Sequence, residues 1–334
     1  MIDAASRGAI GAGASHLVSG HDPEHDLLER ALADFTGRER AMVFSTGYMA
    51  NLGVITALVE RDDLILQDRL NHASLIDAAL LARTREFKRY PHNDAEAAAC
   101  ALRHFRKEHP KAGALIATDG VFSMDGYLAK LPEIRALADQ YDALLMVDDC
   151  HATGFMGPKG AGTPAYFGVK ADVMTGTLGK ALGGALGGYI AGPQPVIDLL
   201  RQRARPYLFS NALPPAVVAA GLAALDLVEQ GDDLRAKLFE NASYWRAGLE
   251  AAGFDLLPGE HPIVPVMLYD ARLAQAMAAR LFELGVYVAG FFFPVVPKDR
   301  ARIRTQMNAA LSRADLDEAL AAFAQAGRDT GVLS

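Results

Sequence analysis

The sequence predicts an α/β fold: a large domain built on a mostly parallel sheet, followed by a smaller C-terminal α+β domain. Three observations carry this expectation. Short apolar runs closed by polar residues alternate with longer amphipathic segments, as strands and helices alternate in a wound sheet. The chain has 334 residues, enough for two domains at roughly 150 residues each. After RPYLFSNALPP the texture changes to long alanine-rich helical segments.

Taken in order, the candidate strands are AMVFS (41–45), DLILQD (63–68), GALIATDG (113–120), ALLMVDD (143–149), DVMTGTL (172–178) and GGYIAG (187–192). Between the third and fourth, Leu131, Ile134, Leu137, Ala138 and Tyr141 fall at helical spacing, which makes a β-α-β unit. Residues 215–252 read as long helices. Beyond them FDLLPGEHPIVPVMLYD, a helix over 271–285, VYVAGFFFP, ARIRTQM and a last helix over 313–328 compose the smaller domain. The expected domains are 1–230 and 231–334.

Composition narrows the function. Hydrophobic residues make up 51% of the chain and charged residues 22%, the balance of a soluble globular protein. A net charge of -7 without any Lys/Arg run argues against nucleic acid as a partner. Two cysteines, Cys100 and Cys150, are too few for a disulfide framework, and nothing reads as a signal core or a membrane span. The expectation is a cytoplasmic enzyme of small molecules.

In open α/β sheets ligands sit beyond the carboxyl ends of the strands, and the residues there form a set. Ser45, Thr46 and Gly47 follow the first strand; Asn71 and His72 the second; Asp119 and Ser123 the third; Asp148, Asp149 and His151 the fourth; Thr177 and Lys180 the fifth. Lys180 lies among glycines in TGTLGKALGGALGGYIAG. A lysine buried there without a carboxylate would lose its charge readily and become a nucleophile or base; the alternative is a solvent-facing lysine in a glycine-rich turn. Lys180, Thr46 with Thr177, and Asp148 match what pyridoxal phosphate requires: an amine for a Schiff base, hydroxyls and a helix start for the phosphate, and a carboxylate for the pyridinium nitrogen.

Other readings compete. Asp148 and Asp149 would also serve as caps of a following helix, and His72 as a capping or loop histidine. Cys150 and His151, adjacent on an extended strand, would point to opposite faces and make no nucleophile pair. His21 and His25 have the spacing of a zinc pair, but Pro23 interrupts a helix over both and no HExxH glutamate is present, so no metal site is expected. GAIGAGAS (8–15) has no strand before it and is a weak match to a dinucleotide loop.

STGYMANLG, NHASLID, TDGVFSMDG, VDDCHATGFMG, TGTLGKALGG, RPYLFSN and ARIRTQM together resemble the α-oxoamine synthases, fold-type-I pyridoxal phosphate enzymes of the aminotransferase class. The resemblance runs from residue 8 to the end. Residues 113–334 look most like members that condense glycine with acetyl-CoA. GAGASHLVSGH and EHDLLERALADFTGRERA resemble members that join alanine to a pimeloyl thioester, and FSTGYMANLG resembles serine palmitoyltransferases too.

The resemblance implies Lys180 as the Schiff-base lysine, Asp148 as partner of the pyridine nitrogen, His151 as partner of the ring hydroxyl with Ser123 near it, and His72 stacked on the ring. Thr46, Gly47, Tyr48 and Thr177 would hold the phosphate, with Ser210 and Asn211 reaching it from a second subunit of a homodimer. Arg304 would grip the amino-acid carboxylate. The implied reaction joins glycine and acetyl-CoA to 2-amino-3-oxobutanoate, reversibly, as in threonine breakdown. The alternatives are the decarboxylating condensation of alanine with a pimeloyl thioester and a non-catalytic homologue. Phe291, Phe292 and Phe293 would narrow the acyl space. Relatives carry a further segment before the glycine-rich stretch, where this chain starts; either the chain is a fragment or its site is less enclosed.

Overall fold

A computed structural model describes Ile2, Ser6 and residues 11–333. Part of the glycine-rich stretch 8–15 therefore lies outside the described residues. The strands are β1 (Arg40–Phe44), β2 (Leu64–Asp68), β3 (Glu86–Tyr90), β4 (Ala114–Asp119), β5 (Val121–Phe122), β6 (Tyr127–Leu128), β7 (Leu144–Asp148), β8 (Val173–Thr177), β9 (Gly188–Gly192), β10 (Ile263–Tyr269), β11 (Gly290–Phe291) and β12 (Ala301–Gln306). The helices that position the site are α1 (Pro23–Thr36), α2 (Gly47–Leu58) and α3 (Ala73–Ala82).

Contacts divide the chain into two compact units. The first runs to Val121 and resumes over Ala129–Gly231; the second comprises Phe122–Leu128 and Asp232 onward. The second unit is thus made of two chain segments, where the sequence reading had one boundary near residue 230.

The first unit holds a seven-stranded sheet in the order β1-β9-β8-β7-β4-β2-β3. β9 runs antiparallel to both β1 and β8, and the remaining neighbours pair in parallel. Every residue of β2 is buried, even Gln67 and Asp68, because helices cover both faces. Alternation divides β1 between two cores. Met42 and Phe44 pack with Ala50, Val54 and Leu75 of α2 and α3, whereas Ala41 and Val43 pack with Leu28 and Leu32 of α1. Asp22 caps α1 and Pro23 takes its first turn, where a missing N–H costs nothing. The proline therefore begins this helix rather than interrupting it, and His21 lies before it.

β3 was not foreseen. EFKRY carries charge at Glu86, Lys88 and Arg89, and among the described residues it forms an edge paired with β2 alone, where charged side chains remain solvated. The long helices expected across 215–252 are two, Pro215–Glu229 and Asp232–Ala251, separated at Gln230–Gly231.

The second unit is a three-stranded antiparallel sheet, β10-β12-β11, with helices Asp232–Ala251, Ala271–Glu283 and Arg313–Asp329. Its core is built around Trp245 and Phe323, edge to face at 5.2 Å. The buried Trp245 Nε1–H donates to Thr305 Oγ1 at 2.8 Å, and that hydroxyl donates to Val264 O at 2.7 Å, so no polar atom of this group is stranded.

Candidate active site

Register brings the strand-end residues of the first unit together. Asp119 of β4 lies opposite Asp148 of β7, and Asp148 opposite Thr175 of β8. β9 reverses direction between β8 and β1, so the ends of β8 and β1 meet at its start: Thr177 and Phe44 both pair with Gly188. A Cβ at Gly188 would come within 2.3 Å of Gly47 N, so only glycine allows the start of α2 to close over β9.

Thr46 is the N-cap of α2, its hydroxyl accepting from Met49 N at 3.1 Å. Thr177 lies beside that helix start: a Cβ on Gly47 would be 3.5 Å from Thr177 Cβ and 3.3 Å from Cys150 Sγ. The Thr177 hydroxyl donates to Gly187 O and accepts from Gly179 N, both at 3.0 Å. Ser45 Oγ donates to Asn211 O at 2.7 Å and lies 3.4 Å from Ser210 Oγ, so within one chain Ser210 and Asn211 adjoin the residue before the cap. Tyr48 is exposed and its hydroxyl donates to Asp77.

Behind this helix start is a buried polar network. Both oxygens of Asp148 accept, Oδ2 from Asn51 Nδ2 at 2.5 Å and Oδ1 from Cys150 N at 3.0 Å. Asp119 Oδ2 accepts from the backbone N–H of His72 at 2.6 Å. Burial pushes the Asp119 carboxyl well above its ordinary range and the charge of Asp148 adds to this, against the His72 N–H and the charge of Lys180. His72 is the N-cap of α3, its Nδ1 accepting from Ser74 N at 3.2 Å. The capping reading of His72 thus holds, and the ring remains exposed.

Of the two readings of Lys180, the solvent-facing one holds: the residue is exposed, in a glycine-rich turn after β8. The glycines that surround it form a loop that does not cover it, although its charge acts on both Asp119 and Cys150. Cys150 and His151 lie in a turn beyond β7, not on an extended strand. No regular helix directly follows Asp148 and Asp149 for them to cap. Asp149 instead accepts from Thr163 N at 3.0 Å and from Thr153 Oγ1 at 3.3 Å, and burial pushes its carboxyl up to about 7.

Ser123 and Arg304 belong to the second unit. Arg304 Nη1 donates to Ser123 O at 2.9 Å, and its guanidinium lies 5.3 Å from the centre of the Phe291 ring. Burial lowers the pKa of Arg304. Two residues back along β12, Arg302 Nη1 donates to Met124 O at 3.0 Å and Asp125 Oδ1 at 2.6 Å, so both arginines hold the Phe122–Leu128 segment. Of the three phenylalanines, Phe291 adjoins Arg304, Phe292 packs on the core and Phe293 is exposed.

His21 and His25 do not converge on a common point. Nε2 of His25 is 3.0 Å from Leu213 O and Nδ1 is 2.8 Å from Asp22 Oδ1; His21 contacts His16 at 3.1 Å and Asp26 at 2.9 Å. Glu29, near His21 and Asp26, is already engaged by Arg201 and Val43 N. A cavity of about 460 Å³ lies at the opposite end of the sheet, at the starts of β4 and β7, where Arg135 is tied to Asp172 at 2.7 Å.

Asn51 and Ser74 were not singled out from the sequence. The available signal was one amide in the helix GYMANLGVITAL on the side that faces the sheet, where a polar group requires partners.

Among known proteins, residues 2–323 match the model of the aminotransferase class I and II family. The chain is 47% identical to the 2-amino-3-ketobutyrate coenzyme A ligase of Salmonella typhimurium, over 100% of this chain and 85% of that protein. It is 49% identical to the 8-amino-7-oxononanoate synthase of Geobacter sulfurreducens, over 99% of this chain and 85% of that protein. The structure of serine palmitoyltransferase from S. paucimobilis with a bound PLP–myriocin aldimine superposes with a TM-score of 0.95 at 33% identity, covering 99% of this chain and 83% of that one. This chain belongs to the aminotransferase class I and II family and, within it, to the α-oxoamine synthases.

Proposed function

We propose that the protein is a pyridoxal-phosphate-dependent acyltransferase that condenses glycine with acetyl-CoA to give 2-amino-3-oxobutanoate and CoA, and that it also runs in reverse. One observation carries the cofactor: at one end of the sheet a doubly hydrogen-bonded carboxylate, a capped helix start and a lysine whose charge reaches the same cluster occur together. The helix start is also closely approached, since a Cβ at Gly47 would lie 3.3 Å from Cys150 Sγ. The helix-start donors fit a dianionic phosphate, and the accepting carboxylate fits a protonated ring nitrogen. Likeness to 2-amino-3-ketobutyrate coenzyme A ligases over the full chain favours glycine and acetyl-CoA.

Thr46, Gly47, Tyr48 and Thr177 would hold the phosphate, Asp148 the pyridine nitrogen, His72 the ring face, and His151 with Ser123 the ring hydroxyl. When bound, the cofactor supplies an electron sink for the pair left on Cα. Lys180 would hold the cofactor through Nζ, and the same Nζ, when free, would take the Cα proton of glycine. The Arg304 fork orients the glycine carboxylate. The new bond joins Cα to the acetyl carbonyl carbon, the C–S bond breaks, and the CoA thiolate leaves and takes up a proton.

A second copy of the chain is the proposed partner, with Ser210 and Asn211 contributing across the interface. Leu17, Val18, Leu186 and Phe209 support it, being exposed apolar side chains in or beside the loops of the site. No helix among the described residues is long and apolar enough to cross a membrane, and the proposed setting is the cytoplasm. Sedimentation equilibrium tests the dimer; a monomer at micromolar concentration would remove it.

The activity is tested with a panel of amino acids and acyl thioesters read by product mass spectrometry. Turnover of glycine with acetyl-CoA in preference to alanine with pimeloyl-CoA is the expected result. The reverse preference would assign the decarboxylating condensation, which the 49% identity to an 8-amino-7-oxononanoate synthase makes the second reading. No turnover with any pair would indicate a non-catalytic homologue.

A further inference from the structure

We infer that Asn51 is a positioning residue that fixes two groups of the site at once, the carboxylate of Asp148 and the ring of His72, through a relay that begins at Thr175 and ends at His72 Nδ1. The inference rests on the reading of this cluster as the cofactor site.

The relay follows from counting donors and acceptors. Asn51 is buried, and its amide meets three partners: Nδ2 is 2.5 Å from Asp148 Oδ2 and 2.8 Å from Ser74 Oγ, while Oδ1 is 2.7 Å from Thr175 Oγ1. The amide has only one workable orientation. Turned over, its oxygen would face a carboxylate oxygen at the 2.5 Å separation, two acceptors in contact without a proton between them. Thr175 Oγ1–H therefore donates to Oδ1, and both protons of Nδ2 are used, one on Asp148 and one on Ser74.

The direction then passes on. The Ser74 backbone N–H donates to His72 Nδ1 at 3.2 Å, so that nitrogen is an acceptor. Ser74 Oγ, which accepts from Asn51, therefore sends its own proton to the same nitrogen, 2.7 Å away. Two donors on Nδ1 require a bare lone pair, so the neutral His72 ring carries its proton on Nε2. The two groups that Asn51 fixes are residues of the proposed cofactor site, at the ends of different strands: Asp148 closes β7, and His72 follows β2. Asn51 stands between them on α2, whose first turn is the proposed phosphate site. One side chain thus ties ring-nitrogen partner, ring-face partner and phosphate helix into a single hydrogen-bonded unit, in which each member's position depends on the others.

Three variants test this: Asn51→Ala removes the hub, Ser74→Ala cuts the His72 arm, and Thr175→Val, nearly isosteric, removes only the donor that orients the amide. The first measurement needs no cofactor: nitrogen-15 NMR of the imidazoles in the PLP-free protein. His72 should show a single tautomer protonated at Nε2 in the wild type, shifted towards a mixture in Ser74→Ala and Asn51→Ala, where only the backbone N–H of residue 74 is held to Nδ1, and shifted less in Thr175→Val. The second is PLP affinity, expected to fall about 10- to 100-fold in Asn51→Ala, the size of one lost hydrogen bond to a charged group, and less in Ser74→Ala. If Asn51→Ala does not fold, Ser74→Ala and Thr175→Val decide the matter. A wild-type His72 protonated at Nδ1, or a tautomer and PLP affinity unchanged in all three variants, would overturn the inference. A wild type with the expected tautomer that fails to bind PLP would overturn the cofactor reading and leave the relay standing.

Discussion

Asp148→Asn removes one charge and one acceptor while keeping the shape of the side chain. The carboxylate accepts on both oxygens, from Asn51 Nδ2 at 2.5 Å and from Cys150 N at 3.0 Å. An amide has one oxygen, so one of these buried donors must face an NH2 group, at about 1–3 kcal/mol for a donor left unpaired. Part of this is returned, because the charge of Asp148 is the second cause, after burial, of the raised Asp119 carboxyl. The expected net loss in the PLP-free protein is about 1–2 kcal/mol, read as a shift of the urea midpoint at unchanged slope. The effect on chemistry is larger. Without the charge opposite the ring nitrogen the electron sink weakens, and exchange of the glycine α-proton at saturating PLP should fall about 10- to 100-fold, a change of roughly 1.4–3 kcal/mol in barrier. Proton NMR of glycine in D2O follows the exchange. A variant that exchanges within twofold of the wild type would show that Asp148 has no electronic role, and an unmoved urea midpoint would refute the donor count.

The remaining predictions concern pH and backbone fit. Burial first, and then the charges of His21, His25 and Arg201, lower the pKa of His16 to about 3, where its ring stacks on Tyr207 at 4.1 Å. The ring is then neutral in the fold but protonated in the unfolded chain below about 6.5, so its contribution is full above that pH and lost as pH falls towards 3. His16→Phe should lessen the loss of stability between pH 6.5 and 4 in urea titrations; an unchanged pH profile would count against it. Asp149 has the opposite sign. Neutral in the fold up to about 7 but ionised when unfolded above about 4, it makes stability fall with rising pH across that interval, by at most about 1.4 kcal/mol per pH unit. Asp149→Asn should flatten this fall, and an identical slope in both proteins would contradict it. Gly188→Ala places a Cβ 2.3 Å from Gly47 N, a backbone atom at the start of α2, and should cost about 1–3 kcal/mol together with a clear loss of PLP affinity. Wild-type affinity in that variant would mean that the start of α2 does not bind the phosphate.

What could be read from the sequence depended on whether a residue's surroundings are local. The six strands read as apolar runs are each within a residue or two of their observed limits, since strands covered on both faces are apolar by necessity. β3 escaped because an edge strand tolerates Lys88 and Arg89, and its pairing with β2 is visible only in three dimensions. The cap at Thr46 was legible as a hydroxyl residue and a glycine ahead of an apolar helix. The exposure of Lys180 was not, because glycine-rich sequence does not reveal whether a loop folds over its lysine or away from it. Asn51 was hidden for a similar reason: its partners Ser74, Asp148 and Thr175 are 23, 97 and 124 residues away. The transfer of Phe122–Leu128 to the second unit depends on Arg302 and Arg304, whose alternation along β12 puts both on one face.

The central claim is that Lys180 is the residue that binds pyridoxal phosphate covalently. Its most direct test is to load the protein with PLP, reduce it with borohydride, digest it and map the modified lysine by mass spectrometry. The expected result is one adduct, on the peptide that contains Lys180, absent when Lys180→Ala is treated in the same way. An adduct on another lysine, or one retained in the Lys180→Ala protein, would contradict the account.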